Sequence, residues 1–525
     1  MFRLLSLVLG IVALPALGEN DHGNHKLGTV VFPVSCNAQA QVHFNTATAW
    51  LHSFEYEEAE REYLAAAAAD KDCAMAHWGV AMSNFHPLWA PPAPAEILKA
   101  SAALEKARRL TVKNNLESDF IRAISTFYKD AETIDHGSRT LAYVDAMERV
   151  YRKHPQDDEA AVFYALSLIV AGTIDADETY ARETDAAKIL NGVLARKPDH
   201  PGVTHYLIHG YDYPALAHLA LPAARVYAGI APASAHAQHM PSHIFTRRGL
   251  WKEAVKSNLA AEAAAISYAK SHNMPGAWDE QLHAIDYLAY GYLQLGQTAD
   301  AKRVLERMYS IRRVDPPNFK VAYTFSAVPA RFALERRAWR EAANLELPPS
   351  AKAIVAWEKF GWATANIHFA RAVGAARLGN IAAARIETDK LAAIRNKLFA
   401  KKGEYDWGTQ VEIQRQIAAA WLAAAEGEGA HAVKLMRQAA ILDEATEKHP
   451  VTPGSILPAR EQVGELLLQQ QNPSEALVEF EASLARAPGR FNSLRGAARS
   501  AELVGSKAKA SEYRSKIAQP GPSSI

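Results

Sequence analysis

The sequence predicts an all-α protein built as an array of antiparallel helix pairs. Three observations carry this. Ala, Leu and Tyr recur at helical spacing along most of the chain, and no long alternating strand pattern appears. Small residues recur one repeat of about 34 residues apart, where paired helices must touch. The 525 residues are too many for one compact core, yet an array grows by stacking and needs none.

The elements follow in chain order. Met1-Phe2-Arg3 opens with a positive charge, and Leu4–Leu17 is an apolar run broken by Gly10 and Pro15. Ala16-Leu17-Gly18 then offers small residues at the two positions a signal peptidase reads. This predicts a signal peptide over 1–18, cleaved after Gly18, and an exported chain, periplasmic or secreted. The run is too short for a comfortable membrane span, no Cys follows it closely, and no other stretch approaches eighteen apolar residues. An extended segment is expected over 19–38, an N-terminal array over 39–315, a C-terminal array over 316–518, and a frayed tail over 519–525.

Cys36 and Cys73 are the only two cysteines. In an oxidising compartment they read as one disulfide. Cys36 precedes the first helix and Cys73 starts the third, which places both at one end of an up-down array. Closing that loop stabilises the fold by roughly 3–4 kcal/mol in the chain-entropy model. With 58 basic against 57 acidic side chains there is no general attraction to nucleic acid or anionic lipid.

The repeat is clearest from Gly464 to Pro488, with Ala476 and Phe480 at the small and aromatic positions of the second helix. The same spacing appears in Leu288-Ala289…Gly296…Ala301…Leu305 and in Ala420…Gly427…Ala432…Met436…Ala439. Weaker copies include Ala59…Tyr63…Ala66 and Ala254…Asn258…Ala261. Over most of residues 40–515 the chain resembles the tetratricopeptide-repeat superfamily. More narrowly, it resembles a group of exported bacterial proteins of that class in LHSFEYEEAE, CAMAHWGVAM, HYLIHGYDYP, HMPSHIFTRRG, LHAIDYLAY and EKHPVTPGSILPAR. The resemblance implies a right-handed superhelix whose first helices line a concave groove; it implies no reaction. Interruptions are expected at His86–Pro92, Lys129–Ser138, Pro316-Pro317, Pro348-Pro349 and His449–Pro458. The polar loop from Glu447 to Gly454 reads as a helix terminator rather than a cover for the groove.

The chemistry concentrates in two repeats. Pro198 and Pro232 stand one repeat apart, so units begin near Pro201 and near Ser234 or Ala235. His205 and His209 recur one unit later as His239 and His243, and each pair has the i,i+4 spacing of one helix face. In the repeat's register His236 and Asp212 join the groove-facing positions. After an insertion around Asn273–Gly276, the next unit adds His283, Asp286 and Tyr290. Tyr206 is a further expected ligand contact.

Among 20 histidines, one such pair is expected by chance; two in the same repeat phase are informative. Imidazoles with nearby carboxylates suit Zn, Fe or Cu. The expected metal ligands are His205, His209, His239 and His243, with His283 or Asp286 as an acid–base or positioning group. Two functions remain open at this stage. One is a scaffold whose groove binds a peptide, a protein partner or a small ligand; the other is a metal-dependent enzyme or metal-binding protein. No HExxH, glycine-rich phosphate loop or Gly-x-Ser-x-Gly elbow is present.

Overall fold

The computed structural model describes residues 26–88, 91–112, 114–175, 179–400 and 405–518. The signal-peptide reading of 1–18 and the tail over 519–525 lie outside them. The described chain is an array of stacked α-helices, as the repeat spacing predicts. Its only strand pairing among the described residues is a two-residue parallel contact, Ala277–Trp278 with Val314–Asp315. That contact ties off the insertion around Asn273–Gly276 against the stretch before Pro316.

Local chemistry starts the helices where polar residues precede apolar runs. Asn37, Asn114, Asp135 and Asn472 each accept a hydrogen bond from a first-turn amide of the helix that follows. Helix Ala38–His52 packs on Tyr56–Ala69 and also on Ala74–Ser83, the one-after-next contact of a stacked array. The small residues sit where the repeat spacing put them. A Cβ on Gly464 would lie 2.8 Å from the Phe480 ring, and one on Gly496 would lie 2.2 Å from it. Only hydrogen at both positions lets three successive helices close around that ring.

The array curls back on itself. Helix Ala38–His52 reaches Pro201–Gly210, and Asp279–Gln294 meets Phe491–Leu503. Polar contacts reinforce the second closure: the Trp251 indole donates to the Gly489 carbonyl at 2.9 Å, and the Phe491 amide to Gln294 Oε1 at 3.0 Å.

Cys36 and Cys73 form a disulfide with Cα atoms 5.0 Å apart, enclosing 37 residues of sequence separation. The bond pins the extended segment before the first helix to the start of the third. Replacing Cys73 with Ala should cost roughly 2–4 kcal/mol. The loss should fall first on the N-terminal helices, as faster amide exchange over 38–83. Unchanged exchange there would show that packing alone holds the segment.

Candidate metal centre

Helix Pro201–Gly210 begins with His200 as its cap and Pro201 in its first turn. It carries His205 and His209. The following unit is less regular than the repeat phase implies. Its first helix is split at Pro241 into Ala235–His239 and Pro241–Arg247, because proline has no amide to continue the ladder. Met240 keeps right-handed helical angles at the split (φ −53°, ψ −38°), so His239 and His243 still share a face. Ser234 caps the short helix through the Ala237 amide and donates to Glu55 at 2.7 Å. The His236 amide also donates to Glu55, whose carboxyl is pushed up to about 8, chiefly by burial. Helix Asp279–Gln294 packs on Ala235–His239 and contributes His283.

These helices bring six imidazoles together as two triads, His205–His209–His236 and His239–His243–His283. Within each triad one nitrogen from every ring lies within 4.8 Å of the others. In the first, His205 Nε2 is 3.1 Å from both His209 Nε2 and His236 Nε2. In the second, His239 Nε2 and His243 Nε2 are 3.0 Å apart, and the His239 and His283 ring centroids are 4.1 Å apart. Two imidazoles on one tetrahedral zinc, each about 2.0–2.1 Å from the ion, hold their nitrogens about 3.3 Å apart. The triads already have nearly that spacing.

The far side of three rings fixes their tautomers. His205 Nδ1 donates to the His52 carbonyl at 2.6 Å. His239 Nδ1 donates to Asn258 Oδ1 at 2.7 Å, while the Asn258 amide is spent on the Ala254 carbonyl. His243 Nδ1 donates to Asp212 at 2.9 Å. Asp212 is held well below the usual carboxylate range: burial would raise it, but Lys448 and Arg247 outweigh that. With both Nδ1 atoms protonated, the His239 and His243 Nε2 atoms present lone pairs to each other at 3.0 Å. Protonation does not relieve this, because burial, the largest influence on every ring of the two triads, lowers all six pKa values, that of His205 to about 3. The Tyr287 hydroxyl, 3.3 Å from His243 Nε2, can occupy one lone pair and leaves the other facing it.

A third cluster, His52, Glu159 and His200, differs in kind. Its rings point Nε2 at opposite oxygens of Glu159, at 2.9 and 3.0 Å, and use Nδ1 on the Tyr206 hydroxyl and the Val203 amide. All four ring nitrogens are committed to hydrogen bonds. Gly202 lets this layer close, since a Cβ there would sit 2.5 Å from His52 Nδ1. The cluster holds the carbonyl that orients His205.

Several residues singled out by sequence sit elsewhere. His236 and His283 are third members of separate triads, so the four-histidine grouping of His205, His209, His239 and His243 is divided between two sites. Asp286 is paired to Arg331 at 2.7 Å, which removes it from the acid–base position expected of it. Tyr290 receives a hydrogen bond from Arg490, and Tyr206 faces His52. Asp212 supports His243 from behind. The six rings do not line an open groove: all are buried, His205 and His239 at 0 % and 1 % exposure. The Glu447–Gly454 loop is also more than a terminator. Lys448 Nζ reaches Asp212 at 2.8 Å, and Glu447 meets Arg247 at 3.1 Å, so the loop roofs the histidines.

Asn258, Tyr287, Arg247 and Lys448 complete the site without having been expected there. Asn258 and Tyr287 lie inside stretches that carry the repeat signal, where nothing separates a packing residue from a positioning one.

Beside His209 and Asp212 opens a cavity of about 480 Å³, bounded also by Leu88, Ile169, Tyr213 and Tyr405. No helix among the described residues is long and apolar enough to cross a membrane.

No family model and no curated protein matches the chain. Among solved structures, the human IFIT1 dimer with PPP-AAAA is 12% identical, covering 90% of this chain and 94% of that one, with a TM-score of 0.38. Yeast Tom70 is also 12% identical, covering 92% of this chain and 99% of that one, with a TM-score of 0.35. The TPR domain of P58(IPK) is 13% identical, covering 89% and 99%, with a TM-score of 0.22.

Proposed function

We propose that this chain is an exported helical-repeat protein that holds two transition-metal ions, one in each histidine triad. The carrying observation is the pair of Nε2 lone pairs of His239 and His243 at 3.0 Å, with both Nδ1 protons assigned to oxygen acceptors. A shared cation turns that repulsion into coordination. Three protein ligands per ion leave coordination positions for exogenous molecules, the pattern of catalytic rather than structural sites. The groups behind the rings fix their orientation, as such partners do in metal sites generally. The Cys36–Cys73 bond and the apolar start of the sequence support export.

The alternative, a groove for a peptide or partner, loses support where the histidines are roofed by the Glu447–Gly454 loop. A small ligand retains a place in the cavity beside His209.

Purified full-length protein, stripped and reloaded with zinc or copper, should bind two ions per chain. Replacing His283 or His236 with Ala should leave one tightly held ion each, and the double variant none, with helix content unchanged. Binding of no metal by the folded protein would overturn the reading.

A further inference from the structure

The two triads are neighbours. His209 and His243 have ring centroids 6.3 Å apart, and His236 and His239 6.4 Å apart. Ions bound about 2 Å from these imidazoles share one chamber. Its walls are aromatic: Phe54 contacts His205, His209 and His236, Tyr227 stacks on His205, and Tyr287 lies against His239 and His243.

The chamber has six imidazole donors, and the carboxylates nearest it among the described residues are turned to other partners. Asp212 is bound by Arg247 and Lys448 as well as His243. Asp286 is neutralised by Arg331, Glu159 lies between His52 and His200, and Glu55 caps the Ala235–His239 helix. Two divalent ions here repel each other four times as strongly as two monovalent ones, and none of the described carboxylates just named is turned between them. Two states avoid this: both ions monovalent, or both divalent with an exogenous anion bridging them. Of the metals imidazole suits, copper alone moves readily between those two states, and it binds most tightly in its divalent form.

We propose that the six histidines form one dinuclear copper centre that takes up dioxygen, reached through the cavity beside His209. Each Cu(I) gives one electron to dioxygen. The product is peroxide bridging two Cu(II) ions: the O–O bond falls from double to single, copper–oxygen bonds form, and no proton is consumed. The peroxide is then the bridging anion the chamber lacks. The 480 Å³ cavity gives dioxygen a path to the His209 side and room for a small organic molecule next to it.

This rests on the two-metal reading, and one experiment separates the two. Full-length protein is stripped, loaded with Cu(I) without oxygen, and then exposed to it, with copper counted and oxygen uptake measured. The expected result is two copper ions and one dioxygen per chain, a new near-ultraviolet charge-transfer band, and no Cu(II) paramagnetic signal after oxygenation, because the two Cu(II) spins couple through the peroxide. His283→Ala should keep one copper and take up no dioxygen; Arg437→Ala, on the exposed surface, should behave as the parent. Two bound copper ions without oxygen uptake, or two uncoupled Cu(II) signals, overturn the proposal. Two zinc ions with no affinity for copper overturn it while leaving the two-metal reading intact. Absence of any metal overturns both.

Discussion

Metal-stripped protein should lose its folded centre between about pH 6.5 and 5, while the metal-loaded protein should hold to lower pH. The six triad histidines have pKa values lowered by burial, so they are neutral in the folded state and protonate near 6.5 when unfolded. The unfolded state then binds more protons than the native one below 6.5. Their contribution to stability is therefore fully present above 6.5 and is lost as pH falls toward the folded values. A ring that stays neutral costs on the order of 1 kcal/mol one pH unit below 6.5, and several such rings together cost several kcal/mol. That is comparable with the whole stability of an ordinary domain, about 5–15 kcal/mol. A bound ion that selects the neutral rings opposes this by mass action. Far-UV circular dichroism and retained metal, followed together from pH 8 to 4, check it. A stripped protein with a flat profile down to pH 5 would sink the assignment of six neutral buried rings. Replacing His209 and His236 with Asn, which does not titrate, should shallow the acid transition by about a third.

The architecture was legible in the sequence because repeat contacts impose a residue-size rule that leaves a trace. Gly464 and Phe480 could be paired from spacing alone, and the structure sets them in contact. The phase of the two HxxxH pairs was readable for the same reason, since a repeat fixes which face a position serves. The division into two triads was not readable. It depends on which neighbouring helix each ring of Ala235–His239 meets: His236 reaches His205 on Pro201–Gly210, whereas His239 lies against His243 and His283. The roof over the site was also out of reach. Lys448 and Asp212 are 236 residues apart, and their meeting depends on how far the array curls, a sum of small rotations that no single repeat encodes. Asp286 was misplaced because register gives a helix face but not the partner across it; Arg331, on the next packed helix, claims the carboxylate.

Replacing Arg490 with Ala should be the most damaging single change outside the histidines. Its guanidinium is fully buried and bonds four ways: to Tyr290 at 2.8 Å, to Glu335 at 2.7 Å, and twice to Glu461 at 3.0 Å. Asn492 adds hydrogen bonds to the Glu335 carbonyl and carboxylate. Without the cation, two carboxyl groups are left buried without their counter-charge, and breaking such a network costs about 3–5 kcal/mol. Arg437, exposed and paired with Glu475, should cost less than about 1 kcal/mol on the same change. Replacing Arg490, Glu335 and Glu461 together with apolar residues should recover much of the loss, because the penalty comes from the stranded charges. The damage should also travel. Tyr290 lies on Asp279–Gln294, the helix that carries His283, so loosening its contact with the C-terminal repeats should weaken the second triad before the first. Arg490→Ala protein should therefore retain one metal ion more tightly than the other. Equal retention of both ions, with stability within about 1 kcal/mol of the parent, would show that the closure of the array does not support the site.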